Sequence, residues 1–425
     1  MIDLYEHQKS VIAENKKIFG NWRGTGSGKT LTTLMLAQGK TLVIVPKQQF
    51  LERMWSTRNI EYGTMLDITE VSKEQFRANW QKYQGFDTVI IDEAHNHFGV
   101  DENLLYDRKT RTYKLKTSQL FEATLNYVRT YRPDRLYLLT ATPVTRPMHL
   151  YAIAKLFGQD WDFEEFRRKY YRAVPIGRGT RYEKRNSKEL EERLAEVSRK
   201  FGYTGTLFDF EDVPEQTHIT KYFEMTKEQN EAIKKLEESD ADPNGLVSRL
   251  RTIENGVMYY DEFETRDGDY VQMRKYDSIK NDKIEYILER AAEFPKIVVF
   301  AAFRGQVYDI AKALQKAGYE AHAVTGDTKN RSTIFLDAEK QERCILVVQS
   351  NISAGYELKT FRVTIYASYS NRVLDKIQAD GRTLRAGHLQ KNLYISLVTR
   401  GGYDERCYKA IQSGVDFNEK VTSGI

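Results

Sequence analysis

The residues of this chain best suited to chemistry lie in short runs around glycines, paired acids and paired arginines. Arg23 to Thr30 reads R-G-T-G-S-G-K-T and precedes the apolar run Leu31, Leu34, Met35, Leu36 and Ala37, so a glycine-rich loop opens a helix. Backbone N–H groups at the start of a helix are unpaired and point outward, and a loop without side-chain bulk lets them close around a phosphate. Gly24, Gly26 and Gly28, with Thr25 and Ser27 between them, form that cradle. Lys29 offers a point charge to the outer phosphates, and the Thr30 hydroxyl a ligand for magnesium. The usual pattern begins with glycine five residues before Gly28, where this chain has Arg23.

Two further constellations fit the same chemistry. Asp92 and Glu93 follow directly on the apolar run Thr88 to Ile91. The first acid can hold magnesium through water, and the second can polarise the water that attacks a γ-phosphate. Gln378 to Gly387 reads Q-A-D-G-R-T-L-R-A-G and places Arg382 and Arg385 three residues apart, on one side of a predicted helix turn. Guanidinium groups so placed suit the charge that develops on a transferred phosphoryl group.

These runs need strands to hold them. Thr41 to Val45, Thr88 to Ile91 and Leu136 to Leu139 read as buried strands, the last leading into T-A-T-P at Thr140 to Pro143. Leu4 to Ile18 and Phe50 to Trp55 read as helices, and Phe19 to Trp22 as a short polar run. Strands alternating with helices, with polar residues at the strand ends, predict a doubly wound parallel sheet. The second half repeats the alternation. Ile297 to Phe300, Ala321 to Val324, Arg343 to Val348, Val363 to Tyr366 and Leu393 to Leu397 read as strands, with helices over Asp282 to Ala292 and Val307 to Ala317. The expected organisation is α/β with two tandem domains, residues 1–205 and 219–425, joined by an acidic linker at 206–218. A Tyr-rich insertion at about 240–278 interrupts the second, with a hairpin turn at Asp267 and Gly268.

Composition narrows the partners. The 425 residues hold 65 Lys and Arg against 60 Asp and Glu, a mild basic excess that permits a polyanion without requiring one. The basic residues are not spread evenly. Arg167, Arg168 and Lys169 open a basic, Tyr-interleaved stretch that runs to Lys188, and Arg111 and Lys114 lie in another between Phe98 and Ser118, which reads as an exposed loop or hairpin. Basic and aromatic side chains together suit a groove that tracks a nucleic-acid backbone. Cys344 and Cys407 stand apart without C-x-x-C spacing, which argues against a disulfide framework or zinc site and fits a reducing, cytoplasmic setting. No signal-like N-terminus and no run of 18 apolar residues occurs, so no membrane association is expected.

In order, the chain carries Gln8, G-T-G-S-G-K-T, Val45-Pro46, D-E-A-H, T-A-T-P and Q-A-D-G-R-T-L-R-A-G, and in this it resembles superfamily 2 helicases and translocases over most of its length. The resemblance implies two RecA-like domains with ATP and Mg2+ in the inter-domain cleft and nucleic acid across the top. It implies that Gln8 reads adenine, that Lys29, Thr30, Asp92 and Glu93 serve as above, and that Arg382 and Arg385 act as arginine fingers. His95, Thr140, Thr142 and Gln378 would couple nucleotide state to movement. Gly355 and Glu357, in the S-A-G-Y-E-L run ending at Leu358, would lie near the nucleotide or the domain interface. Within the superfamily the chain looks closest to the Swi/Snf-like group and to compact phage-type helicases. Chromatin-acting members usually carry G-T-P and R-x-G-Q, where this chain has Ala141 and His388. The expected function is therefore an ATP-dependent DNA helicase or translocase of phage or bacterial-host type, 3′ to 5′ by resemblance, working with replication or recombination proteins. An RNA helicase and a nucleotide-sensing module that does not move are the alternatives.

Overall fold

The computed structural model describes residues 4–107, 112–176, 179–185, 188–205, 209, 214–238, 243–266, 269–352, 356–384 and 391–417. The chain divides into two units, Met1–Glu211 and Asp212–Ile425. The division falls within the expected linker, although Gln216 already begins a strand of the second unit.

The first unit holds strands β1 (Ile18–Asn21), β2 (Lys40–Val45), β3 (Asp67–Ser72), β4 (Thr88–Asp92), β5 (Val100–Asp107), β6 (Thr112–Thr117), β7 (Arg135–Leu139), β8 (Tyr171–Ile176), β9 (Gly179–Lys184) and β10 (Gly202–Tyr203). Its helices are α1 (Glu6–Glu14), α2 (Lys29–Leu36), α3 (Lys47–Leu51), α4 (Met54–Glu61), α5 (Lys73–Asn79), α6 (Gln119–Tyr131), α7 (Pro147–Leu156), α8 (Phe163–Tyr170) and α9 (Lys188–Phe201). Six strands form a parallel sheet in the order β10-β1-β7-β4-β2-β3. Alternate residues feed two cores. Leu42, Ile44, Val89 and Ile91 face the side covered by α5 to α9, while Val43, Val45 and Ile90 face α1, α2 and α4. Burial on both faces is why β2 and β4 read as unbroken apolar runs, each large side chain contributing about 1.5–3 kcal/mol.

Two strands escape that pattern. β1, expected as a polar run, is I-F-G-N, with Phe19 and Asn21 buried and no room for a side chain at Gly20: a Cβ there would lie 1.8 Å from the Trp22 ring, and one on Gly202 of the adjoining strand 2.1 Å from the Gly20 carbonyl oxygen. β3 is an edge strand, polar and half-exposed over much of its length. The helix expected over Phe50 to Trp55 is two, broken where Arg53 takes a left-handed backbone with φ 49°. The Phe98 to Ser118 stretch forms the β5–β6 hairpin, and β8–β9 is a second antiparallel pair.

The second unit holds β11 (Gln216–Phe223), β12 (Val257–Arg266), β13 (Asp269–Ser278), β14 (Lys296–Ala301), β15 (Ala321–Val324), β16 (Cys344–Gln349), β17 (Val363–Tyr366) and β18 (Asn392–Thr399). Between them run α10 (Lys227–Glu237), α11 (Pro243–Glu254), α12 (Asp282–Glu293), α13 (Arg304–Lys316), α14 (Arg331–Lys340), α15 (Val373–Thr383) and α16 (Tyr403–Gln412). The sheet is again six-stranded and parallel, β11-β18-β17-β14-β16-β15. Val298, Phe300, Leu346 and Val348 face α14 to α16, and Ile297, Val299, Ile345 and Val347 face α12 and α13. The expected insertion is a helix followed by the β12–β13 hairpin, its strands ten residues each. Tyr259 of that hairpin accepts the Gly305 amide of α13 at 2.8 Å, which docks its base on the sheet-bearing core.

Candidate active site

In the first unit β1, β7 and β4 are neighbours, and the loops leaving their carboxyl ends bring the candidate residues together, as parallel sheets generally do. The glycine-rich loop leaves β1. Gly26 and Gly28 adopt left-handed backbones with φ 82° and 73°, and Gly28 caps α2. Lys29 donates to the carbonyls of Arg23 and Gly24, both at 2.9 Å, so its ammonium sits over the loop it would leave for a phosphate. Ser27 Oγ closes the loop on the Gly24 carbonyl at 2.9 Å. Thr25 and Thr30 are half-buried, Thr30 in the first turn of α2.

Arg23, the departure from the usual pattern, belongs to the root of this loop. It is buried, and its guanidinium lies 5.5 Å from the centre of the Tyr203 ring, whose hydroxyl donates to Glu14 at 2.8 Å. The next amide, Gly24, donates to the Gly205 carbonyl at 2.9 Å. Here a glycine would forfeit a packed cation–π contact. Gln8 is also buried. Its carbonyl oxygen accepts the Tyr5 amide at 2.9 Å, and its amide nitrogen donates to the Gly28 carbonyl at 3.4 Å. His7 adds a ring nitrogen 3.0 Å from the Ser27 carbonyl, a contact that sequence spacing does not disclose. A Cβ at residue 28 would stand 2.1 Å from the Gln8 amide, so Gly28 is required twice, by φ and by space.

Asp92 ends β4, and its two carboxylate oxygens are held differently. Oδ1 accepts the Glu93 amide at 2.9 Å, and Oδ2 accepts the Trp55 indole N–H at 3.1 Å. Burial, reinforced by Glu93, raises the Asp92 pKa to about 6, against the pull of Trp55, the Glu93 amide and Lys29. Glu93 takes a left-handed backbone, φ 49°, at a cost of about 1–3 kcal/mol for a residue with a side chain. Asn96 holds it there, donating both its backbone and side-chain N–H to the Glu93 carbonyl at 3.0 and 2.9 Å. His95 Nδ1 lies 3.4 Å from Glu93 Oε2 and 3.1 Å from Thr140 Oγ1, and Thr140 Oγ1 accepts the Thr142 amide at 3.1 Å. The acid is thereby connected through His95 to the segment that follows β7.

These groups fit a magnesium nucleotide. Among the described residues no cluster of three or more His, Cys, Asp or Glu is placed to hold a metal, so a resident all-protein cage is not what they offer. Magnesium is commonly held by one or two protein oxygens together with phosphates and water, and Thr30 and Asp92 are the residues that would supply those oxygens beside the glycine cradle. The bound ion would neutralise phosphate charge. Lys29 would orient the phosphates, and Glu93 would take the proton of the attacking water.

In the second unit Arg382 lies in the last turn of α15. It donates to the Tyr356 carbonyl at 2.9 Å and stacks 5.3 Å from that residue's ring centre. Tyr356 in turn stacks on Phe335 with ring centres 3.6 Å apart. Glu357 is paired with Lys359 at 2.8 Å, and Gln378 is half-buried on α15. α15 ends at Thr383 with an extended backbone at Leu384. Arg385 and Gly355 lie outside the described residues, as does Arg111.

One nucleic-acid candidate is corrected. Arg167 is buried, pairs through one guanidinium nitrogen with both oxygens of Glu164 at 2.8 and 2.6 Å, and lies 4.0 Å from the Tyr182 ring centre. It fastens α8 to the β8–β9 hairpin and is not displayed to a polymer. Arg168, Lys169 and Lys114 are exposed.

Residues 279–387 match the helicase conserved C-terminal domain. A DEAD-box RNA helicase by name, HEL64 of Trypanosoma brucei brucei, is 25% identical over 118 residues, 27% of this chain and 21% of that protein. The chain therefore spans about a fifth of the length of that relative. The Hef helicase domain of Pyrococcus furiosus superposes with a TM-score of 0.50 at 14% identity, over 96% of this chain and 97% of that one. The SWI2/SNF2 ATPase core of Sulfolobus solfataricus, solved with dsDNA, is matched over 97% of this chain and 91% of that one at 16% identity, with a TM-score of 0.40. The fold is that of tandem RecA-like helicase domains. The C-terminal domain match falls within the second of the two units. Among the described residues no helix is long and apolar enough to cross a membrane.

Proposed function

We propose that this chain is an ATP-dependent DNA helicase or translocase acting in replication or recombination, which hydrolyses ATP with Mg2+ and couples that step to movement along the polymer. The observation that carries the reading is the line from Lys29 and Asp92 through Glu93 and His95 to Thr140 and Thr142, because it links the proposed phosphate site to the segment that follows β7. Among the described residues Thr142 Oγ1 is shielded from solvent without a hydrogen-bond partner, which leaves that segment a polar group to satisfy in another arrangement. Arg382, and Arg385 with it, would supply positive charge to the transition state.

Support for DNA comes from the sequence resemblance to Swi/Snf-like and phage-type motors. The name of the HEL64 relative favours RNA instead. Glu93→Gln and Arg382→Ala test the catalytic roles. Both are expected to bind ATP with near-native affinity while turnover falls, by about 10²–10⁴ for Glu93→Gln and 10³–10⁵ for Arg382→Ala. Unchanged turnover in either variant removes that residue from the machinery, and full turnover in both places hydrolysis on other residues.

A further inference from the structure

We propose that Trp55 is a positioning residue for Asp92, fixing through its indole N–H the carboxylate orientation in which Asp92 serves a nucleotide-bound magnesium; the proposal rests on the nucleotide-site reading above. Trp55 is fully buried in the core that also holds Val43, Val45, Ile90 and Leu139. A large ring packed on every side has one place to be, so its N–H is fixed in space. That N–H points at Asp92 Oδ2, 3.1 Å away, whereas Oδ1 takes the Glu93 amide at 2.9 Å. One donor on each oxygen sets the plane of the carboxylate and leaves a lone-pair direction on each for water or metal.

The support extends one residue further. Glu70 of β3 caps the first turn of α4, with Oε1 accepting the Trp55 amide at 3.3 Å and Oε2 accepting the Ser56 amide at 3.1 Å and its hydroxyl at 2.9 Å. The helix that carries the indole is thus anchored from the same sheet that carries Asp92. Groups that orient a metal-holding carboxylate typically alter metal affinity by 10–100-fold when removed.

The test uses Trp55→Phe in the full chain, which keeps the ring and removes the donor. Binding of a fluorescent N-methylanthraniloyl ADP is measured with excess chelator and then across a magnesium titration, beside thermal melting. The expected result is unchanged metal-free nucleotide affinity and about a tenfold rise in the half-saturating magnesium concentration. Glu70→Gln, which loosens the cap without touching the indole, should shift the magnesium dependence in the same direction by a smaller factor. This second variant decides the matter if Trp55→Phe fails to fold. An unchanged magnesium dependence, or an equal loss of metal-free and metal-dependent binding, would overturn the proposal and leave Trp55 a core residue. If the native chain binds no nucleotide with magnesium present, the nucleotide-site reading itself falls, and Trp55's role with it.

Discussion

A basic side chain in a sequence window carries no information about the direction it faces, and Arg167 illustrates the consequence. Arg167, Arg168 and Lys169 look alike as a run, yet Arg167 is buried between Glu164 and Tyr182 while its two neighbours are exposed. Arg167→Ala should therefore destabilise the chain by about 1–3 kcal/mol in urea denaturation, through lost packing as well as lost charge. Arg168→Ala with Lys169→Ala should leave stability unchanged and instead weaken DNA binding and flatten its salt dependence. DNA affinity indifferent to that pair would return the segment to a solvated face. Histidine offers a second test at this scale. Burial, with Lys73 and His95 adding to it, pushes the pKa of His97 down to about 3, and its ring contacts Thr124 Oγ1 at 2.8 Å. A base held neutral in the fold protonates more readily when unfolded, so its contribution is full above its ordinary value of 6.5 and is lost as pH falls from there toward 3. Calorimetric melting temperature should drop across that interval, and less steeply in His97→Asn. An identical slope in the variant would assign the acid sensitivity to other groups.

At the scale of elements, legibility follows burial. β2, β4, β14 and β16 are apparent in the sequence because both of their faces are covered, and the β12–β13 pair because a turn dipeptide separates two β-rich runs, although Asp267 and Gly268 themselves lie outside the described residues. β1 and β3 are not. One is four residues long with a glycine where its neighbours crowd, and the other is a polar edge. Polar anchors between elements are hidden for a different reason, since they join residues far apart in the chain. In the second unit Lys283 of α12 is buried and donates to Asp404 at 2.9 Å, Asn255 at 2.7 Å and the Ala367 carbonyl at 3.0 Å, tying α11, α12 and α16 to the sheet. Lys283→Met should cost about 3–5 kcal/mol, because it strands the buried Asp404 carboxylate. Denaturant titration that finds less than about 1 kcal/mol would mean water or a rearranged partner satisfies Asp404.

Over the whole molecule, the glycine loop, the acid pair and the T-A-T-P run could be placed at strand ends from sequence alone, and the structure brings Lys29, Asp92, Glu93, His95, Thr140 and Thr142 together. Their supports were out of reach of spacing arguments. Trp55 stands 37 residues from Asp92, His7 20 residues from Ser27, and Arg23 180 residues from Tyr203, so each pairing exists only once the sheet order is known. The odd residue of the phosphate loop is likewise explained by topology, since β10 runs alongside β1 and gives Arg23 a ring to pack on. The most direct measurement of whether these parts form a motor on DNA is steady-state ATP hydrolysis by the full chain with single-stranded DNA, duplex DNA, forked DNA and RNA compared side by side. Stimulation by one or more of the DNA forms, with little by RNA, is the expected result. Stimulation by RNA alone would make the chain an RNA helicase, and turnover indifferent to every polymer would contradict a nucleic-acid motor altogether.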